Sequence, residues 1–200
     1  MAQITFWYEF ASTYSYPAAM RIEQEAAARG VQVAWEPFLL GPIFASQGLR
    51  EPPLAVGGKR RYMERDLTRI CGALGLAFAM PANFPARGLL GARMALALPQ
   101  AQRPAFSRAL YTLEFGEGAD IGDQEVVAEA LRRVGLDTEL LVQAADEEVK
   151  QGLKDATAKA QEQGVFGAPS FVTAGGELFW GNDRLEAALE WAVREAGVPA

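Results

Sequence analysis

An α/β fold is what this sequence predicts, and three observations predict it. A segment of alternating, aromatic-rich residues, a helical segment and a second alternating segment follow one another before Pro37. Two short strand-like segments and a helical one close the chain. Between these ends, residues 58–150 read as helical.

Each element has a local reason. Over residues 3–10, Ile4, Phe6, Tyr8 and Phe10 alternate with Thr5, Trp7 and Glu9, the two-residue period of a strand. Residues 14–29 are rich in Ala, Glu and Arg and stop at Gly30, as a helix does. Val31, Val33 and Trp35 alternate again up to Pro37. Strand, helix and strand this close imply a right-handed crossover between parallel strands. Near the other end, Ser170 to Thr173 and Glu177 to Trp180 read as strands joined through Gly175-Gly176, a hairpin signal. Asn182 reads as a helix cap, followed by Leu185, Ala188, Leu189, Ala192 and Val193 at helical spacing.

The middle is expected to hold a helix around Tyr62, Asp66, Arg69 and Ile70, then others near 89–98, 104–115, 123–134 and 137–149, punctuated by Pro81, Pro85 and Pro104. A last helix over about 150–163 carries Leu153, Ala156 and Ala160 on one face and leads into Gly164. A βαβ unit followed later by a ββα unit is the order of a thioredoxin-like fold. Residues 1–40 and 155–200 therefore read as a discontinuous thioredoxin-like domain, and 41–154 as a large all-helical insertion.

Composition narrows the function. The chain has 200 residues, half of them hydrophobic, enough for a substantial core. Its formal charge is -6, and Lys59-Arg60-Arg61 is the only basic run, so no nucleic-acid footprint is expected. Neither a secretory signal nor an apolar stretch approaching the ~20 residues of a membrane helix is present, and the expectation is a soluble cytoplasmic protein without membrane partners. The single cysteine, Cys71, excludes an intrachain disulfide and a cysteine-rich zinc site. There is no histidine, which removes the commonest general base, the commonest metal ligand and every triad built on either. The acids scatter along predicted helices, so no metal is expected.

What remains lies at the two ends of the chain. Ser12 stands where a strand gives way to a helix, where unpaired N–H groups and the positive helix end stabilise an anion such as a thiolate. A serine hydroxyl there can donate to another molecule's sulfur; the local pattern alone favours a simple helix cap. Pro17 then bends the helix or moves its regular start towards Ser15. Pro169, in Gly167-Ala168-Pro169-Ser170, faces Ser12 in the inferred fold, and there a cis bond and a free Ala168 backbone would suit an extended, peptide-like ligand. Asn182 and Asp183 read as a cap and a first-turn acid, or as a site for a ligand's α-amino group. Lys59 reads as solvated, or as a partner for a ligand carboxylate. Cys71 and the tryptophans Trp7, Trp35, Trp180 and Trp191 read as core or core-edge residues.

These segments resemble a family. Ser12-Thr13-Tyr14-Ser15-Tyr16 is similar to the Ser-Pro-Tyr-Ser-Tyr/Trp segment of 2-hydroxychromene-2-carboxylate isomerases and kappa-class glutathione transferases, in the DsbA-like branch of the thioredoxin fold. Leu40 to Phe44, Pro52-Pro53, Lys59 with Tyr62-Met63, Phe84-Pro85, Gly164 to Pro169 and Gly181 to Leu185 follow in the family's order. The resemblance implies glutathione as a regenerated cofactor and a small aromatic substrate, and a homodimer. Ser12 matches the serine that holds the glutathione sulfur as a thiolate, and Tyr14 lies in the same segment. Lys59 matches a lysine of the glutathione pocket, and Ala168, before a cis-Pro169, matches the backbone partner of the cysteinyl unit. Asn182 and Asp183 match the pair at the γ-glutamyl end.

In the isomerase, the thiolate adds to an unsaturated carbon, the hemiketal ring opens, a bond rotates and elimination returns glutathione. The chain departs from the family pattern at Thr13, which replaces a proline. It departs again at Arg50, which stands where members carry an asparagine and where a guanidinium could meet a carboxylate. The expected function is a glutathione-dependent isomerase of an aromatic, chromene-type carboxylate. The alternatives are a kappa-like glutathione transferase and a non-catalytic thiol-binding protein that kept the fold.

Overall fold

A computed structural model describes residues 1–48 and 57–197. Arg50 and the Pro52-Pro53 pair lie outside the described residues.

Four strands form one sheet in the order β2-β1-β3-β4. Strand β1 (Ala2–Tyr8) pairs in parallel with β2 (Val31–Pro37), from Ala2 opposite Val31 to Tyr8 opposite Pro37. On its other side β1 runs antiparallel to β3 (Ser170–Thr173), with Phe6 opposite Phe171 and Trp7 opposite Ser170. Strand β4 (Leu178–Trp180) completes the hairpin and lies at the edge. Pro37 belongs to β2 rather than following it. As the last residue of an edge strand it needs no N–H, and the next amide, Phe38 N–H, donates to Tyr8 O at 3.1 Å.

Alternation along β1 decides what covers the sheet. Ile4, Phe6 and Tyr8 enter the larger core with α1 (Ser15–Ala28) and α8 (Leu185–Glu195), whereas Trp7 enters a smaller one with Phe38, Ile43, Ala160, Val165 and Val172. That second core lies under α2 (Leu40–Ser46) and α7 (Glu147–Glu162). Burial of each large apolar side chain contributes about 1.5–3 kcal/mol, which makes the register of β1 strongly specified.

Between β2 and β3 come α3 (Gly57–Ala73), α4 (Leu89–Ala97), α5 (Arg103–Tyr111) and α6 (Gln124–Arg133). Aromatic rings join this helical block to the sheet. Tyr8 meets Trp35 at 5.4 Å and Tyr111 at 6.3 Å, Phe10 meets Tyr111 at 5.0 Å, and the Tyr8 and Ser107 hydroxyls are 2.9 Å apart.

Three boundaries differ from the sequence expectation. The helix expected over 104–115 ends in a wider π turn, Thr112–Gly116. The segment expected as a helix over 137–149 is a 3-10 turn, Thr138–Ala145, and α7 begins at Glu147 because Asp146 is extended and restarts the chain. Asn182 is not a side-chain helix cap: it opens a short 3-10 turn, Asn182–Arg184, and α8 starts only at Leu185. Its side-chain oxygen is taken by Arg21 instead, as described below.

Candidate functional site

The end of β1 and the start of α1 are joined by a turn in which the Ser12 N–H donates to Glu9 O at 3.0 Å and the Ser15 N–H to Ser12 O at 3.0 Å. The helix proper starts at Ser15, so Pro17 is its third residue, where a missing N–H costs nothing. No side chain caps α1 and its first turn carries no acid. The positive end of the helix is therefore not offset by a side chain of this chain among the described residues.

Three consecutive side chains leave this turn for three destinations. The Ser12 hydroxyl donates to the carbonyl of Ala168 at 2.9 Å, across 156 positions of sequence. Buried Thr13 donates to Met63 Sδ at 3.2 Å, and the Tyr14 hydroxyl donates to Asp66 at 3.0 Å, both on α3. Desolvation and the Asp66 carboxylate push the Tyr14 hydroxyl above the usual tyrosine range, so Tyr14 acts as a donor. Thr13 thus supplies a hydrogen bond to α3 that a proline could not.

The Ala168–Pro169 bond is cis. Ala168 is partly exposed, and its N–H has no hydrogen-bond partner among the described residues. Pro169 O accepts from the Gly181 N–H at 2.9 Å, which ties the proline loop to the Gly181-Asn182-Asp183 turn. Gly181 has φ +113°, and a Cβ there would lie 2.6 Å from Asp183 Oδ1, so this corner needs glycine. Asn182 is buried: Arg21 on α1 donates to its carbonyl at 2.6 Å and its Oδ1 at 3.2 Å, and forms an ion pair with Glu186. Asp183 is exposed, with Arg184 3.5 Å away.

The structure therefore brings Ser12, Tyr14, Ala168, Pro169, Asn182 and Asp183 into one hydrogen-bonded neighbourhood. Lys59 is exposed in the first turn of α3, without an ion pair among the described residues. It precedes Met63 by four residues and so shares the helix face that meets Thr13, about 6 Å along the axis. Cys71 is buried, and burial pushes its thiol up to about 11, which makes it inert as a nucleophile. Trp7 and Trp35 are core residues, whereas Trp180 and Trp191 are 51% and 40% exposed. Trp180 packs against Phe166 at 4.9 Å beside the proline loop. Among the described residues no group of His, Cys, Asp and Glu could hold a metal, and no helix is long and apolar enough to cross a membrane.

Sequence reasoning missed four residues here. Arg21 and Asp66 act only through distant partners and leave no local signal. Glu9 follows β1 and is partly buried, with no ion pair among the described residues, and desolvation lifts its carboxyl to about 7. Glu114, in the π turn, is fully buried and held well above the usual carboxylate range by desolvation and by Glu9 and Asp120. Its signal was an acid inside the apolar run from Leu110 to Phe115.

Residues 3–190 match the family described as the DSBA-like thioredoxin domain. The 2-hydroxychromene-2-carboxylate isomerase of Sphingobium xenophagum is 30% identical over 92% of this chain and 94% of its own. Glutathione S-transferase kappa 2 of Caenorhabditis elegans is 25% identical, over 91% of this chain and 88% of its own. The solved structure of a 2-hydroxychromene-2-carboxylate isomerase superposes with a TM-score of 0.85 at 24% identity, covering 99% of this chain and all of the other. The chain belongs to the DSBA-like thioredoxin domain family and, within it, to the group of 2-hydroxychromene-2-carboxylate isomerases and kappa-class glutathione transferases.

Proposed function

We propose that this protein is a glutathione-dependent isomerase of an aromatic, chromene-type carboxylate, acting as a homodimer in the cytoplasm. The observation that carries the reading is the Ser12 to Ala168 hydrogen bond, which sets a hydroxyl, the uncapped end of α1 and a backbone N–H without a partner among the described residues side by side. Bound glutathione supplies a nucleophilic sulfur that a chain without histidine or an accessible cysteine lacks.

The residues fit the parts of that ligand. The Ala168 N–H and C=O suit the main chain of a cysteinyl unit. The Asp183 carboxylate suits an ammonium group, on a turn that Arg21 holds rigid through Asn182. Lys59 suits the carboxylate at the other end, and Arg50 is assigned to the substrate carboxylate. Ser12 and the end of α1 hold the sulfur as an anion, and Tyr14 fixes the turn that carries Ser12. In domain terms, residues 1–40 and 155–200 supply most of the glutathione side, and the insertion 41–154 adds Lys59 to it and supplies the substrate side.

Incubation with glutathione and a 2-hydroxychromene-2-carboxylate tests the reading. The expected result is conversion to the ring-opened isomer with glutathione unconsumed. Stoichiometric loss of glutathione would establish transferase chemistry instead. Absence of glutathione binding at millimolar concentration would overturn both.

A further inference from the structure

Beside Ala168 the edge of the sheet presses an aromatic ring onto a glycine, a contact that the proposed reaction does not use. Trp7, Ser170 and Trp180 are paired across β1, β3 and β4, so their side chains form one row on one face of the sheet. Trp180 is the outermost of the row and is half exposed. Its indole lies over Gly167: a Cβ on that residue would stand 2.4 Å from Nε1, 2.9 Å from Cε2 and 3.1 Å from Cδ1. Phe166, itself 43% exposed, meets the same indole edge-on, with ring centroids 4.9 Å apart.

Gly167 matters because of the peptide it begins. The Gly167–Ala168 amide is planar, so whatever fixes its Gly167 end also fixes the direction of the Ala168 N–H. Ser170 Oγ donates to Gly167 O at 2.8 Å, and the indole packs on the Cα side. The next two carbonyls are held as well, Ala168 O by the Ser12 hydroxyl at 2.9 Å and Pro169 O by the Gly181 N–H at 2.9 Å. Within this fixed backbone the Ala168 N–H has no partner among the described residues. The φ of Gly167 is not positive, so glycine is needed here for the close approach of the ring and not for an unusual backbone conformation.

We propose that Trp180 is a positioning residue for ligand binding: its ring holds Gly167 so that the Ala168 N–H stays aimed at the main chain of a bound thiol tripeptide. This rests on the thiol-binding reading above. Without the ring, Gly167 regains the rotational freedom of a residue that has no Cβ, and the amide plane turns with it. The N–H is then turned away from the ligand for part of the time, and the hydrogen bond it would give is weakened or lost. One such hydrogen bond contributes roughly threefold to tenfold in affinity. The effect acts on the peptide part of the ligand and not on its sulfur, which Ser12 and the end of α1 hold.

The test compares glutathione with γ-glutamyl-alanyl-glycine, which has the same main chain and no thiol, by calorimetric titration. Trp180→Ala is expected to weaken both by the same factor, roughly threefold to tenfold. It should leave the ultraviolet titration of the bound thiolate where it is in the wild type. Gly167→Ala, whose methyl pushes the ring away, should weaken both ligands alike. The double variant gives that methyl the space of the ring and should bind more tightly than Gly167→Ala alone, a recovery that a general loss of stability would not produce. Should Trp180→Ala not fold, Gly167→Ala and Trp180→Phe answer the same question, the phenylalanine keeping part of the ring and part of the affinity. Unchanged affinity in the folded variants, weakening confined to glutathione, or no recovery in the double variant would overturn the inference while leaving glutathione binding intact. No binding of glutathione to the wild type at millimolar concentration would overturn the thiol-binding reading, and this inference with it.

Discussion

Replacing Ser12 by alanine separates the two tasks of one hydroxyl, because a serine has a single proton to donate. In the structure that proton is given to Ala168 O at 2.9 Å. To meet a sulfur anion it must be withdrawn from the carbonyl. A neutral hydrogen bond contributes about 1 kcal/mol, and one to a charged group about 1.5–3 kcal/mol. The gain on binding is therefore the difference, about 0.5–2 kcal/mol, which at 1.36 kcal/mol per factor of ten is roughly twofold to thirtyfold. Ser12→Ala should lose about 1 kcal/mol of folding stability through the untied proline loop, read by urea denaturation. It should also raise the apparent pKa of bound glutathione by roughly one unit and slow turnover about tenfold at pH values below it. Titration of the thiolate absorbance together with denaturation checks both. Unchanged turnover and an unchanged thiolate titration would refute the role of Ser12, whatever happens to stability.

Three further outcomes follow from the same geometry. Glu114 and Glu9 have folded-state pKa values above the unfolded one, so their contribution is complete below about pH 4.5 and is lost as pH rises, for Glu9 up to about 7. Glu114→Met should therefore be more stable than wild type at pH 8 by about 1–4 kcal/mol, with a smaller gap at pH 5 in calorimetric melts; lower stability at both pH values would contradict it. At Gly91 a new Cβ would lie 2.5 Å from Leu110 Cδ2 and 3.2 Å from Phe10, so Gly91→Ala should cost about 1–3 kcal/mol in a denaturant titration. Arg21→Met strips the donors from Asn182 and the partner from Glu186; it should lower stability by about 1–3 kcal/mol and weaken glutathione binding severalfold by isothermal titration.

Much of the scaffold was legible because local periodicity and global burial agree. Ile4, Phe6 and Tyr8 point into one core and Trp7 into the other, as their alternation requires. Leu185, Ala188, Leu189 and Ala192 all bury one face of α8. Boundaries were less legible where tertiary contacts compete with propensity. Asn182 has the side chain of a cap, yet Arg21, 161 positions earlier, takes its oxygen. The π turn at Thr112–Gly116 has no periodic signature that separates it from the end of α5.

The sequence by itself determined the order of the elements and the two end segments that meet, because strand alternation, helical spacing and the resemblance of ordered motifs are all properties of the chain read in line. Composition also excludes histidine and leaves one cysteine, which made an external thiol the economical expectation. Only the tertiary structure decided how those residues are used. The Ser12 hydroxyl faces Ala168 rather than its own helix, and Thr13 and Tyr14 are tied to α3. Glu9 and Glu114 became weaker acids because folding removes water from them and no cation pairs with either among the described residues. A pKa is set by its surroundings, and surroundings assembled from positions more than a hundred residues apart exist only once the chain has folded.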